Sequence, residues 1–243
     1  MTGKSMRNVL LVVLVGVVGM SMSAGAGTIQ LGNSGWSASW ASFRDDNLAL
    51  NVDFESSDTV FIEKFVQFTP SDFNESGGFI DPVVIVFQQT SSNAKPFIVI
   101  NDEQVINNSG VPWVGFIMTI LGAPGVQFDA GKTDVNPPGS GFTIDPFTTH
   151  TFSNGNTRFE VGGGTIPSGP PIPGPGDSNV WFPGTESGGL AIQTSATENG
   201  LRGFSLKEQP NIIPLPAAAW TGLSGLLGLA VMSAAKRIRK AVS

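Results

Sequence analysis

The chain has 243 residues and no cysteine, which excludes disulfides, thiolate zinc sites and a cysteine nucleophile. Its 31 glycines and 17 prolines, with only 13% charged residues, describe short elements joined by turns rather than long helices. The net charge of −6 is segregated: all 19 acidic residues lie between Asp45 and Glu208, so the acidic middle excludes a nucleic-acid backbone as partner.

Lys4 and Arg7 precede an uncharged apolar run, Val9 to Met20, and small residues follow from Ser21. That order predicts a secretory signal peptide over 1–26, with Ala24 and Ala26 at the small-x-small positions and Gly27 opening the mature chain. A run of twelve is short for an uncleaved membrane anchor.

Residues 27–210 read as one exported domain with strand periodicity. Leu48, Leu50, Val52 and Phe54 alternate with Ala49, Asn51, Asp53 and Glu55, which places one face on a core and the other in water. From Val60 to Phe68 the same period sets Val60, Ile62, Lys64, Val66 and Phe68 on one side. Val83 to Phe87 and Phe97 to Ile100 are β-branched runs suited to central strands, and Trp113 to Leu121 is a buried strand by composition. Weaker strand signals follow at 126–128, 141–144, 157–161, 190–194 and 203–207. Turn residues at 74–78, 107–112 and 136–139 punctuate them. The stretch 162–189, with nine glycines and six prolines, reads as a long loop pinned at its end by Trp181 and Phe182. Ten or eleven short strands so punctuated predict an all-β fold, an antiparallel β-sandwich of jelly-roll-like kind.

Little in this domain points to catalysis. His150 is the lone histidine, set in a threonine-rich strand edge with no nucleophile turn beside it. Asp53 and Glu55, two apart on the solvent face, are the pair a glycosidase would need, but acidic neighbours are common on such a face. The domain reads as non-enzymatic. A structural calcium ion is the better use for clustered acids, with Asp45, Asp46, Asp102 and Glu103 as candidate ligands in the loops 44–47 and 101–103, and 72–75 as a third such loop. None fits a twelve-residue calcium loop, and no other cofactor is indicated. Trp36, Trp40, Trp113 and Trp181 would stack on sugar rings if exposed, although core packing is the commoner fate of such side chains.

Ala217 to Ala235 is an uncharged apolar stretch of 19 residues, long enough as a helix to cross about 28 Å. Trp220 lies near its outer end. Lys236, Arg237, Arg239 and Lys240 follow it directly, a basic stop that keeps this end on the cytoplasmic side. A single C-terminal transmembrane helix at 217–235 with a basic tail at 236–240 is therefore expected. Just before it stands Ile213-Pro214-Leu215-Pro216-Ala217, whose alternate prolines hold the backbone extended and short of donors.

Motif, apolar span and basic tail together, over residues 211–243, resemble the PEP-CTERM class of bacterial sorting signal, in the variant written VPLPA with isoleucine for valine. Leu215 stands where the class's namesake has glutamate. The resemblance implies cleavage near the motif by an exosortase, a membrane-embedded transpeptidase. It also implies a Gram-negative-type host, with an inner-membrane-anchored precursor and then a place at the cell surface or in the extracellular matrix of a biofilm. On this reading the chain is a structural or adhesive surface protein, with the exosortase, the membrane and an exopolysaccharide as partners. The competing readings are a secreted carbohydrate-active enzyme or glycan-binding module on the same sandwich, and a permanently anchored single-pass membrane protein.

Overall fold

The computed structural model describes residues 27–75, 77–122, 124–133, 142–170, 179–183, 189–194 and 203–212. The expected signal peptide with Ala24 and Ala26, the motif 213–217, the span 217–235 and the basic tail 236–240 all lie outside the described residues. Among the described residues no helix is long and apolar enough to cross a membrane.

The chain opens with β1 (Gly27–Gln30), β2 (Trp36–Trp40), β3 (Leu48–Glu55) and β4 (Thr59–Phe68), with a 3-10 turn at Ser42–Arg44. After a second such turn at Pro70–Asp72 come the hairpin strands β5 (Phe73–Asn74) and β6 (Phe79–Ile80). They are followed by β7 (Val83–Gln89), β8 (Phe97–Asn107) and β9 (Trp113–Leu121). The rest are β10 (Gln127–Phe128), β11 (Thr149–Ser153), β12 (Arg158–Ile166), β13 (Val180–Trp181), β14 (Leu190–Gln193) and β15 (Gly203–Ile212).

Seven strands form one sheet in the order β1-β2-β7-β15-β9-β12-β11, and six the other, β10-β14-β8-β4-β3 with β13 beside β8. The fold is all-β, and its described pairs are antiparallel except β4 with β8. Between those two strands the chain leaves for β7 in the other sheet and returns, so β8 arrives in the same direction as β4. Alternation makes the layers. On β7 every second residue from Val83 to Gln89 is buried, and on β4 every second one from Val60 to Phe68. The two inner faces share one core. Phe68 of β4 meets Trp113 and Phe116 of β9 edge-on at 5.2 and 6.0 Å, and Trp181 of β13 meets Phe116 at 5.3 Å. Such pairs each add about 0.5–1.5 kcal/mol beyond the area they bury.

Several expectations are corrected in detail. Gly162 to Ile166, expected in the long loop, belongs to β12, where the register with β9 shifts between Gly162 and Ile166. Gly163 takes φ 77° at that bulge, and a side chain there would collide with Thr148 Oγ1. Residues 142–144 are not a strand. The strand expected over 97–100 continues through Asp102 and Glu103 to Asn107. The last strand runs past the expected boundary at 210 to Ile212. Pro210 stands inside it, opposite Phe116 of β9 and beyond Glu208, the last residue paired with β7.

Candidate functional site: charges on both faces of the six-stranded sheet

β4 presents Lys64 inward between Ile62 and Val66, and the burial of this lysine is nearly complete at 3% exposure. β8 runs alongside, and its register places Glu103 directly beside Lys64. Across the core β15 presents Glu208, flanked by Val83 of β7 and Met118 of β9. The Lys64 ammonium contacts both carboxylates, and the side chains of all three are fully shielded from solvent. One lysine therefore ties the two sheets together through a glutamate from each.

The electrostatics follow from the missing water. Burial pushes the Glu103 carboxyl up to about 8, Lys64 opposes that rise, and the neighbouring charges of Glu208 and Asp102 reinforce it. Burial works against the Lys64 charge, but the two glutamates outweigh it and hold the ammonium above its ordinary range. At neutral pH Glu103 therefore favours its protonated form, beside the Lys64 ammonium. Among the described residues Glu103 Oε2 and Glu208 Oε2 accept no hydrogen bond. Sealed from solvent and substrate alike, the triad fastens the layers and has no access for chemistry.

The outer face of the same sheet is different. β4 turns Phe61, Glu63, Phe65 and Gln67 outward. Beside Glu63 stand Asn51 of β3 and Asp102 of β8, and beside Phe61 stands Phe54. Phe54 and Phe61 stack with centroids 4.0 Å apart and planes 15° from parallel. Asp53 accepts a hydrogen bond of 2.7 Å from Asn101 Nδ2. Partial burial, then the charges of Asp102 and Asp53, raises the Glu63 carboxyl above its ordinary range. The result is a belt of carboxylates and amides crossing three strands between two aromatic rows.

A bulge builds that belt. The β3–β4 register skips Asp53 between Val52 and Phe54, which reverses the phase of the strand. Phe54, expected on the core face, is 45% exposed for this reason. The same bulge parts the Asp53–Glu55 pair that a glycosidase would need. Asp53 stays with Asn101, whereas Glu55 turns to Lys95 at 3.0 Å and the Asn33 N–H at 2.7 Å. The Asn33 N–H and then Lys95 hold the Glu55 carboxyl below its ordinary range.

The calcium candidates do not assemble. Asp102 and Glu103, read as loop residues, sit mid-strand on opposite faces of β8, and Glu103 already faces Lys64. Asp45 accepts from Trp40 Nε1 at 3.0 Å, and Asp46 is exposed. The neighbouring loop at 72–75 is occupied by the protein's own cation: Arg44 pairs with Asp72 at 2.8 Å, both nearly buried. Among the described residues no three histidine or carboxylate groups converge as metal ligands. Trp36, Trp113 and Trp181 are core residues, which removes them as sugar platforms; Trp181 pins its segment to β8, whereas Phe182, expected to pin it too, is 48% exposed. His150 is exposed on the edge strand β11, 6.3 Å from the rings of Phe152 and Phe159.

Comparison with protein-family models, with curated proteins and with solved structures finds no match for this chain.

Proposed function

We propose that the chain is an exported structural or adhesive protein of the cell surface or extracellular matrix, carried on a jelly-roll-like sandwich. A signal peptide at 1–26 is removed on export. The helix at 217–235 then holds the precursor in the inner membrane, with Lys236, Arg237, Arg239 and Lys240 inside, and an exosortase-type transpeptidase cuts at Ile213 to Ala217.

One observation carries the sorting reading: motif, 19-residue apolar stretch and basic cluster follow one another without interruption after the folded domain. The end of β15 supports it. Ile212 still pairs with Trp113, so the double-proline motif starts immediately beyond the last ladder position. A protease needs an extended substrate, and prolines at alternate positions, Pro214 and Pro216, disfavour a helix directly after the last strand.

The test is the C-terminus and intact mass of the protein recovered from its native cell surface. The expected chain ends between Pro214 and Ala217. A chain ending at Ser243 in the membrane fraction overturns processing and leaves a permanently anchored protein.

A further inference from the structure

Lys64, Glu103 and Glu208 admit no outside reactant, but among themselves they hold a nucleophile, an electrophile and a proton carrier. We propose that the folded chain closes an amide bond between Lys64 Nζ and Glu103 Cδ, with Glu208 as the base, and so staples β4 to β8 through their side chains.

Among the described residues Lys64 is the lone buried lysine. Its ladder partner on β8 is Glu103, and its ammonium touches Glu103 Oε1 while donating a hydrogen bond to Glu208 Oε1. The walls around the three are apolar. Ile62 and Val66 stand either side of Lys64 on its face of β4, Val105 follows Glu103 on β8, and Val83 and Met118 flank Glu208, all fully buried. Groups held in position to react reach effective concentrations of about 10⁵–10⁸ M. Apolar walls also keep out the bulk water that would return an amide to acid and amine.

The Glu208 carboxylate takes one proton from the Lys64 ammonium along their hydrogen bond. The freed amine lone pair attacks Cδ of protonated Glu103, and the C=O π pair moves onto oxygen. Glu208 then gives its proton to the hydroxyl and takes one from the nitrogen. The C–O bond breaks, water departs and the carbonyl re-forms. One ammonium, one carboxylic acid and one carboxylate thus become an amide, a water and a protonated Glu208, with no co-reactant and no change of oxidation state.

Burial favours this direction. It holds Glu103 in the protonated, electrophilic form, and the product has no ion where the reactants had a buried pair. Glu103 Oε2 accepts no hydrogen bond among the described residues, and the reaction removes one of the two Glu103 oxygens. The chain has no cysteine, so any covalent staple in this domain comes from other side chains. This one would lock the parallel pair, between whose strands the chain crosses to the other sheet and back. Until the bond closes the triad is ionic, and the domain answers mutation and pH as an unlinked chain.

The bond depends on the packed core and on no part of the sorting reading. The full-length chain is purified folded in neutral detergent, then denatured, digested with trypsin and sequenced by tandem mass spectrometry. An amide at Lys64 blocks cleavage after it, and Lys95 precedes Pro96, which also resists the enzyme. The expected product is one segment from Asp45 to Lys132, lighter than its sequence by one water, with the link between Lys64 and Glu103. Lys64→Arg keeps the cation but yields no free amine, and should show full mass. Glu208→Leu removes the base and should slow closure about a hundredfold or more in samples taken over time. A folded parent cleaved normally after Lys64, with both fragments at full mass, overturns the proposal. An amide on Glu208, joining the segment that begins there to Asp45–Lys132, overturns it too, as does undiminished closure in Glu208→Leu. A chain cut at the sorting motif yet unlinked refutes the bond alone. A linked chain that retains Ser243 refutes the sorting reading alone.

Discussion

Two pairs of adjacent residues, Glu63-Lys64 and Asp102-Glu103, send one charge to each side of the same sheet. Inside, Lys64 and Glu103 meet Glu208 shielded from solvent, and the outcome is a Glu103 carboxyl that burial pushes up to about 8. Outside, Glu63 is only partly buried, and that burial, reinforced by the charges of Asp102 and Asp53, raises its carboxyl above the ordinary range. Residue type is nearly the same on the two faces. Solvent decides that one group is a fastener and the other an open surface.

The contrast is sharpest where it is most easily broken. Lys64→Met leaves two acids in the core without their cation, and should cost about 3–5 kcal/mol in urea unfolding. Replacing all three groups together, as Lys64→Met with Glu103→Leu and Glu208→Leu, should recover that loss. It should leave a domain as stable as the parent or up to about 4 kcal/mol more so, because the cost of desolvation disappears with the charges. A triple variant as damaged as Lys64→Met alone would mean that the triad specifies the sheet pairing rather than merely surviving within it.

The retained proton gives a subtler handle. Folded Glu103 keeps its proton up to about 8, whereas the unfolded chain releases it near the ordinary 4.5. The folded state thus binds more protons between those values, and this group's contribution to stability is greatest below 4.5 and lost as pH rises to about 8. Glu103→Gln keeps the neutral form at every pH, so the difference in unfolding free energy between parent and variant should move across that window and be flat above it. The smallest effect belongs outside. Glu63→Gln relieves repulsion on a wetted face and should stabilise by at most about 0.5 kcal/mol. A loss of more than about 1 kcal/mol would place Glu63 in the structural network after all.

The strands were legible where each carries its own pattern. Val83 to Phe87 and Trp113 to Leu121 declare themselves through β-branched and aromatic residues, and both are strands. The stretch 101–107 does not, because Asn-Asp-Glu-Gln looks like a turn to any local rule. It is a strand because Lys64, nearly forty residues earlier, supplies the partner that lets Glu103 be buried. A signal was present: Lys64 falls on the apolar side of an otherwise regular alternation, and an inward lysine requires acids inside. Which acids answer it is a matter of topology. The phase reversal at Asp53 was equally hidden, since Phe54 continues the apolar period without a break and only the ladder shows the skipped residue.

β15 lies in the middle of its sheet, laddered to β7 on one side and to β9 on the other, and Glu208 grips Lys64 from within it. It is also the strand that leads into the proposed sorting motif. A pull on a tether at that end would run along the strand and load its flanking hydrogen bonds side by side, in shear, instead of peeling them one at a time. An edge strand in the same position would unzip. Under the proposed anchoring, drag would thus fall on a strand paired on both sides, which suits a module that must hold while its surroundings move.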